Sequence, residues 1–320
     1  MLNKIKSKYI LKIIGDYLNR KTILSLVKYN KKLQQKLDIS IKDYIKYSNE
    51  IIIELTPNNP LEEGENIFIN IPEKSKQYFH IYFNNNDIEQ QKQNITDDDN
   101  INKIKIVIDG EVISFKELFK NCKCLKKINI VKYIRNNIKN MYSMFENCSS
   151  LIELNIDKLN TDNVETMRAM FCGCSSLKTL NLSNFNTKNV QTMYGMFSHC
   201  SSLVNLNVNN FDTSNVKNMA GMFYKCSSLE ELNITNFNTD NVMDLREMFY
   251  ECNSLINLDI SNLNLKRGKK TKYMFACCSE QLQELVKSQK TKLKKDLFYN
   301  PFDNIYTAFD YNPDKYIHNS

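Results

Sequence analysis

Apolar residues recur along the central half of the chain with a fixed period of 26 residues. Each copy contains Met-Phe, and a cysteine follows the phenylalanine three residues later. The phenylalanines are Phe119, in a weaker first copy, and then Phe145, Phe171, Phe197, Phe223, Phe249 and Phe275. A fixed period in this range is typical of stacked supersecondary units. We therefore expect a repeat array rather than one globular core.

The apolar spacing changes within each copy. Val164, Met167 and Phe171 fall on one face of a short helix, which Thr161 or Asp162 could cap. The following Leu-x-x-Leu-x-Leu segment, residues 177–182, predicts a strand of a parallel sheet. The pattern thus predicts an α/β repeat of about seven 26-residue units, in which a parallel sheet and short helices stack into a two-layer core.

The segments on either side of the array have different patterns. Residues 1–49 have apolar stripes at helical spacing, and residues 50–113 contain several short β-like runs. We expect the second segment to be a small β-rich cap module that covers the open edge of the array at residues 114–280. Residues 281–320 begin with an amphipathic pattern and predict a C-terminal helical cap and tail.

Charge and cysteine content indicate the cellular compartment in which the protein functions. The net charge of +7 lies mainly in residues 1–50, where 12 basic residues face 4 acidic ones, a pattern typical of a solvated lysine-rich helix face. Ten cysteines are present, and seven occupy one repeat position, which favours a row of buried reduced thiols. No secretory signal and no membrane-spanning apolar run are evident. We expect a cytoplasmic protein, with the nucleus as an alternative.

The repeat has a recognisable consensus. It reads Asn-Thr-x-Asn-Val-x-x-Met-x-x-Met-Phe-x-x-Cys-Ser-Ser-Leu-x-x-Leu-Asn-Leu, best seen in residues 186–206 and 212–232. This consensus closely resembles the BspA-like class of leucine-rich repeats. The resemblance implies a right-handed leucine-rich-repeat solenoid with parallel strands lining one face. Bacterial members of this class are often secreted adhesins, so it also implies an adhesin role, which the missing signal peptide disfavours.

A second, weaker resemblance lies in residues 8–33. The spacing of Leu11, Ile14 and Leu18, followed by the apolar run from Ile23 to Val27, is similar to a degenerate F-box. The usual Leu-Pro opening and closing Trp are both absent. The resemblance implies that Leu11, Ile14 and Leu18 contact a Skp1-like ligase subunit, while the array captures a substrate for ubiquitin ligation.

The predicted strands leave polar side chains on the face opposite the core. A central row of asparagines is flanked by a more variable column, and both recur every 26 residues. The candidate partner-binding residues are Glu153, Asn155, Thr179, Asn181, Asn205, Asn207, Glu231, Asn233, Asn257 and Asp259. Two interpretations stay open for the asparagines: they bind a partner, or they bond one another along the stack.

Catalytic chemistry is hard to assemble from this sequence. No phosphate loop, Ser-His-Asp set or metal-binding helix motif is present, and the paired cysteines lack the spacing of a zinc knuckle. We therefore expect no enzyme activity, no cofactor and no metal. The basic cluster at residues 266–272 favours a solvent-facing turn over a nucleic-acid site. The sequence predicts a non-catalytic scaffold protein that binds another protein.

Overall fold

A computed structural model describes residues 30–40, 49–266, 268–290 and 293–299. These described residues contain two α-helices, α1 (Lys31–Lys36) and α2 (Glu280–Gln289). The Asn30 side chain caps α1 by accepting the Leu33 N–H at 3.0 Å, as expected of an Asn at this position. The proposed adaptor residues Leu11, Ile14 and Leu18 lie outside the described residues, so that interpretation stays a prediction.

The segment after α1 is built of strands. They are β1 (Ile51–Pro57), β2 (Asn66–Ile67), β3 (Phe79–Phe83), β4 (Glu89–Gln90), β5 (Asn94–Ile95), β6 (Ile104–Ile108), β7 (Leu125–Lys132), β8 (Glu153–Asn155), β9 (Thr179–Leu180) and β10 (Asn205–Leu206). Short 3-10 turns occupy Glu73–Tyr78, Asp97–Asp99 and Lys295–Leu297.

One six-stranded sheet joins the N-terminal segment to the first repeats. Its order is β4-β3-β6-β1-β7-β8. Strand β1 alternates buried and half-buried residues, which places Ile51, Ile53 and Leu55 in the core. It pairs antiparallel with β6 on one side and with β7 on the other, and β7 pairs parallel with β8. Strand β1 therefore covers the open edge of the first repeat.

The copies of the repeat lie side by side in register. Parallel bridges join equivalent residues of neighbouring copies at Ser114, Asn140, Thr166, Thr192, Asn218, Asp244 and Lys270. A second set of parallel pairs runs through Thr179, Asn205, Glu231 and Asn257. From Thr179 onward, neighbouring copies are therefore joined at two places, and each bridge joins residues 26 positions apart along the chain.

The predicted short helices of the array are absent from the described residues between 114 and 279, where these segments form turns. Within one segment, Ser143 and Asn147 have left-handed φ angles of 53° and 56°, and Ala169 and Gly173 repeat this pair. Left-handed residues interrupt an α-helix. The Phe145 N–H instead donates to Met170 O of the next copy at 2.9 Å. The helical spacing arises because the turns also return apolar residues to one side.

Gly173 shows how closely these turns approach each other. A β-carbon at this position would lie 2.3 Å from the Asn147 Oδ1 atom of the preceding copy. The nearest atom belongs to the Asn147 side chain, and the equivalent positions of later copies, His199 and Lys225, keep the left-handed backbone with larger residues.

Phenylalanine and cysteine form two continuous rows in the core. Seven phenylalanine rings, from Phe119 to Phe275, stack with centroids 5.4–5.7 Å apart and planes within 9°. From Cys148 to Cys278, each repeat thiol donates to the phenylalanine carbonyl of the preceding copy, as Cys226 Sγ does to Phe197 O at 3.0 Å. All ten cysteines are free, and the predicted row of buried thiols is confirmed.

The C-terminal segment takes the place of a further copy. Helix α2 buries Leu282 and Val286, and its Gln289 side chain binds the backbone of Leu258 and Ile260. The Phe275 N–H donates to Leu297 O at 2.8 Å, as earlier phenylalanines donate to the next methionine. The backbone of the last repeat is thus hydrogen-bonded without an eighth copy.

Candidate binding face

The residues predicted for partner binding are all exposed. They lie on or directly after β8, β9 and β10 and at the equivalent positions of the next two copies, where buried leucines alternate with them. An open groove of about 650 Å³ runs along this face. The predicted residues that line it are Thr179, Asn181, Asn205, Asn207, Glu231, Asn233 and Asn257, while Glu153, Asn155 and Asp259 lie outside it.

The central row, Asn155, Asn181, Asn207, Asn233 and Asp259, caps its own turns. The Oδ1 atom of Asn207 accepts the Asn209 N–H at 3.0 Å, and Asn233 Oδ1 accepts the N–H and hydroxyl of Thr235 at 3.0 and 2.8 Å. Asn155, Asn181 and Asp259 accept the N–H two residues later in the same way. This is the local pattern that Asn and Asp favour in turns.

The second interpretation of this row is wrong for the described residues, because these asparagines form no bonds with one another. Asn181 Nδ2 donates across one repeat, but to Asp157 Oδ1 at 2.8 Å. The amide nitrogens of Asn207 and Asn233 have no hydrogen-bond partner among the described residues. Because each Oδ1 atom is engaged by a backbone N–H, the amide orientation is fixed and the nitrogens remain as donors.

The flanking column differs in charge from one end to the other. Glu153 forms an ion pair with Lys127 across β7 and β8, with Nζ and Oε1 2.5 Å apart. Glu231 forms no ion pair within the described part of the chain. Of the described residues that line the groove, Glu231 alone is ionisable. The groove therefore carries one uncompensated carboxylate among neutral amides.

A second row of asparagines, which the sequence analysis did not single out, holds the stack together. It consists of Asn184, Asn210, Asn236 and Asn262, three residues after the first row. Asn210 Nδ2 donates to Leu182 O at 2.9 Å and to Phe185 O at 2.7 Å, both in the preceding copy. Asn184 and Asn262 make the same pair of bonds. The consensus Asn-x-x-Asn could have signalled two rows, but the sequence does not reveal where each amide points.

A second groove of about 620 Å³ follows the turns after the cysteines. Its lining includes a row of serines, Gly173 and His199, together with several charged residues. Burial lowers the pKa of His199, whose ring lies 5.3 Å from the ring of Tyr224. Lys225 and Glu251 form an ion pair there at 3.7 Å. Opposite charges thus largely balance in this groove.

Lys266, Lys270 and Lys272 of the basic cluster are exposed, as a solvent-facing turn predicts, but Lys269 is an exception. Lys269 is buried, and its Nζ atom donates to the carbonyls of Thr239, Asp240 and Val242 at 2.7, 2.9 and 2.6 Å. Burial lowers the pKa of this ammonium group. Lys269 therefore binds backbone carbonyls at the end of the array.

The described residues lack the features of a metal site or a membrane span. They contain no group of three or more His, Cys, Asp or Glu side chains placed to hold a metal ion. Within the same ranges, no helix has the length and apolar character needed to span a lipid bilayer.

Comparison with known proteins gives one family. Residues 113–205 and 180–289 match the model described as "Mycoplasma protein of unknown function, DUF285". No curated protein and no solved structure matches the chain significantly. The two matches overlap and together span residues 113–289, which is more than half of the 320 residues. The chain therefore belongs to the DUF285 family.

Proposed function

We propose that this chain is a non-catalytic interaction protein that recognises another protein through the face lined by Asn205, Asn207 and Glu231. One observation carries the proposal: an open groove covers most of the predicted face. The side chains of Asn205, Glu231 and Asn257 make no hydrogen bond or ion pair with other described residues. A side chain that the stack does not use is available to a partner.

We further propose that the array is a right-handed BspA-like leucine-rich-repeat solenoid. Parallel bridges at intervals of 26 residues, the stacked phenylalanines and the repeat consensus support this architecture. Repeat stacks of this kind offer extended surfaces to macromolecules. The groove has no aromatic residue in its lining, so we expect modest affinity spread over several polar contacts.

A site-specific crosslinking experiment tests the binding face. A photoreactive amino acid at Asn207, within the groove, is compared with one at Asn253, an exposed position outside it. In the native cell we expect Asn207 to capture a defined protein that Asn253 does not capture. The double substitution Asn205→Arg and Glu231→Arg should abolish this capture, because two long cations fill and recharge the groove.

The matched control carries the same changes next to the groove. Glu230→Arg and Asn253→Arg alter exposed residues of the same types that do not line it. We expect this variant to retain the crosslink and both variants to keep the melting temperature of the parent. Equal capture by the two probe positions and by both substituted variants would contradict the assignment of this face as the binding site.

Two other functions follow from the sequence and stay predictions. A substrate adaptor would bind a Skp1-like ligase subunit through Leu11, Ile14 and Leu18, and Leu18→Asp should then remove that subunit from the purified complex. A surface adhesin would be labelled by a membrane-impermeant reagent on intact cells, whereas the cytoplasmic location that we propose predicts no labelling. No contact among the described residues favours either alternative.

A further inference from the structure

The groove that we assign to partner binding also has a defined chemistry. Its lining combines amides with leucines and is almost entirely neutral, and Glu231 is its one charged residue among those described. Parallel bridges join Glu231 to Asn205 on one side and to Asn257 on the other. Glu231 is therefore flanked by residues of two neighbouring copies, whose backbones lie about 4.8 Å away on each side.

Two amides near Glu231, those of Asn207 and Asn233, present donors, whereas the flanking amides of Asn205 and Asn257 keep both a donor and an acceptor. Asn207 and Asn233 use their Oδ1 atoms to cap backbone N–H groups, and their Nδ2 atoms have no partner in the described ranges. Asn181 differs because Asp157 engages its Nδ2 atom. The centre of the groove thus offers amide N–H groups to a ligand's acceptors and a single carboxylate to a cation.

A ligand that covers the groove must remove water from Glu231. Desolvating a carboxylate without a counter-charge is costly, and a neutral ligand supplies none. A cation placed against Glu231 compensates that cost, while carbonyl oxygens on the same ligand accept from Asn207 and Asn233. An extended polypeptide with a lysine or arginine supplies both groups along one chain.

We infer that the groove binds an extended peptide segment of a partner protein, with a basic side chain of that segment against Glu231. This inference rests on the proposed function, since it assigns the partner's chemistry to the same face. The amides of Asn207 and Asn233 hold the peptide through its carbonyls, and the charge of Glu231 selects the basic residue. Closely balanced charges in the groove at His199 and Lys225 give no comparable selection.

A displayed library of random 12-residue peptides tests the inference on the full chain. The library is selected in parallel against the parent protein, Glu231→Lys and the control Glu230→Lys, whose side chain is exposed beside the groove. We expect lysine and arginine to be enriched with the parent and with the control. Glu231→Lys should instead enrich aspartate and glutamate, because the charge at the centre of the groove is reversed.

Affinity measurements on a selected basic peptide sharpen the result. Glu231→Gln keeps the shape of the side chain and should weaken binding roughly three- to tenfold, the range of a partly exposed ion pair. Raising the salt concentration should weaken the parent and leave the Glu231→Gln variant nearly unchanged. Circular dichroism of each variant verifies that the fold is retained.

The outcomes separate this inference from the proposed function. If Asn207→Arg abolishes peptide binding but the charge at position 231 does not change the affinity, the inference is overturned and the proposed binding face is retained. If neither change alters the affinity of the selected peptides, the proposed binding face is contradicted as well. Binding of the parent protein to neutral oligosaccharides on a glycan array, if Asn207→Arg abolishes it, would assign the groove to glycans instead. A selection without any peptide that depends on Glu231 also overturns the inference.

Discussion

Two rows of asparagine follow the strands, three residues apart in each copy, and have different functions. The row of Asn184, Asn210 and Asn262 donates to carbonyls of the preceding copy. The row of Asn207 and Asn233 caps local turns and keeps its amide nitrogens on the exposed face. The same residue with the same period therefore either holds the stack or remains available for binding. The hydrogen-bond partner of each amide decides which.

The thiol row belongs with the residues that hold the stack, and it gives the largest predicted effect. Burial raises the pKa of Cys226 and Cys278 to about 12, and it raises the pKa of the other four thiols from Cys148 to Cys252 as well. The folded protein keeps these thiols neutral, whereas the unfolded chain ionises them near pH 8.5–9. Stability is therefore full below that pH and is lost as the pH rises towards 12.

Urea unfolding at pH 7 and pH 10 measures this loss. Each thiol should contribute about 1.4 kcal/mol of destabilisation one pH unit above its unfolded pKa, so six thiols together cost several kcal/mol. The Cys226→Ala variant should lose about 1.4 kcal/mol less than the parent between these two pH values. An identical loss in both proteins would show that the thiol does not titrate on unfolding.

The comparison between the two asparagine rows can be tested directly. Asn184→Ala with Asn210→Ala removes four hydrogen bonds and leaves their carbonyls without these donors. We expect the free energy of unfolding to fall by about 3 kcal/mol, measured by urea denaturation.

The matched variant is Asn207→Ala with Asn233→Ala, which removes caps from exposed turns. It should cost about 1 kcal/mol or less, because water can replace the lost bonds. Equal costs for the two variants would mean that both rows serve the stack, and the argument for a binding face would weaken.

Lys269 extends the comparison to the end of the array. Its ammonium group binds three carbonyls of the preceding copy, much as Asn184, Asn210 and Asn262 each bind two. Lys269→Met keeps the length and apolar stem of the side chain but removes the donors. We expect a loss of about 2 kcal/mol, seen as a lower melting temperature. The exposed neighbour Lys270→Met serves as control, and a similar shift there would contradict the assignment.

Several features could be predicted from residue types alone. The period placed Phe197 and Cys200 in the interior, since large apolar residues and thiols at one fixed interval must share one environment in a stack. Alternation along residues 177–182 placed Thr179 and Asn181 on the opposite face. The short helices were wrong because Val164, Met167 and Phe171 have spacing that a turn also satisfies. The left-handed φ angles at Ala169 and at His199 could not be predicted from the sequence, since neither residue is glycine.

The sequence by itself determined the period, the buried row of phenylalanine and cysteine, and the exposed polar face. These depend on side-chain polarity, which each residue carries with it. The tertiary structure alone decided which asparagine holds the stack, which carboxylate lacks a counter-charge, and that Lys269 binds the end of the array. Those properties depend on the atoms that neighbouring copies bring within about 3 Å, and residues 25 to 30 positions apart meet only when the copies stack.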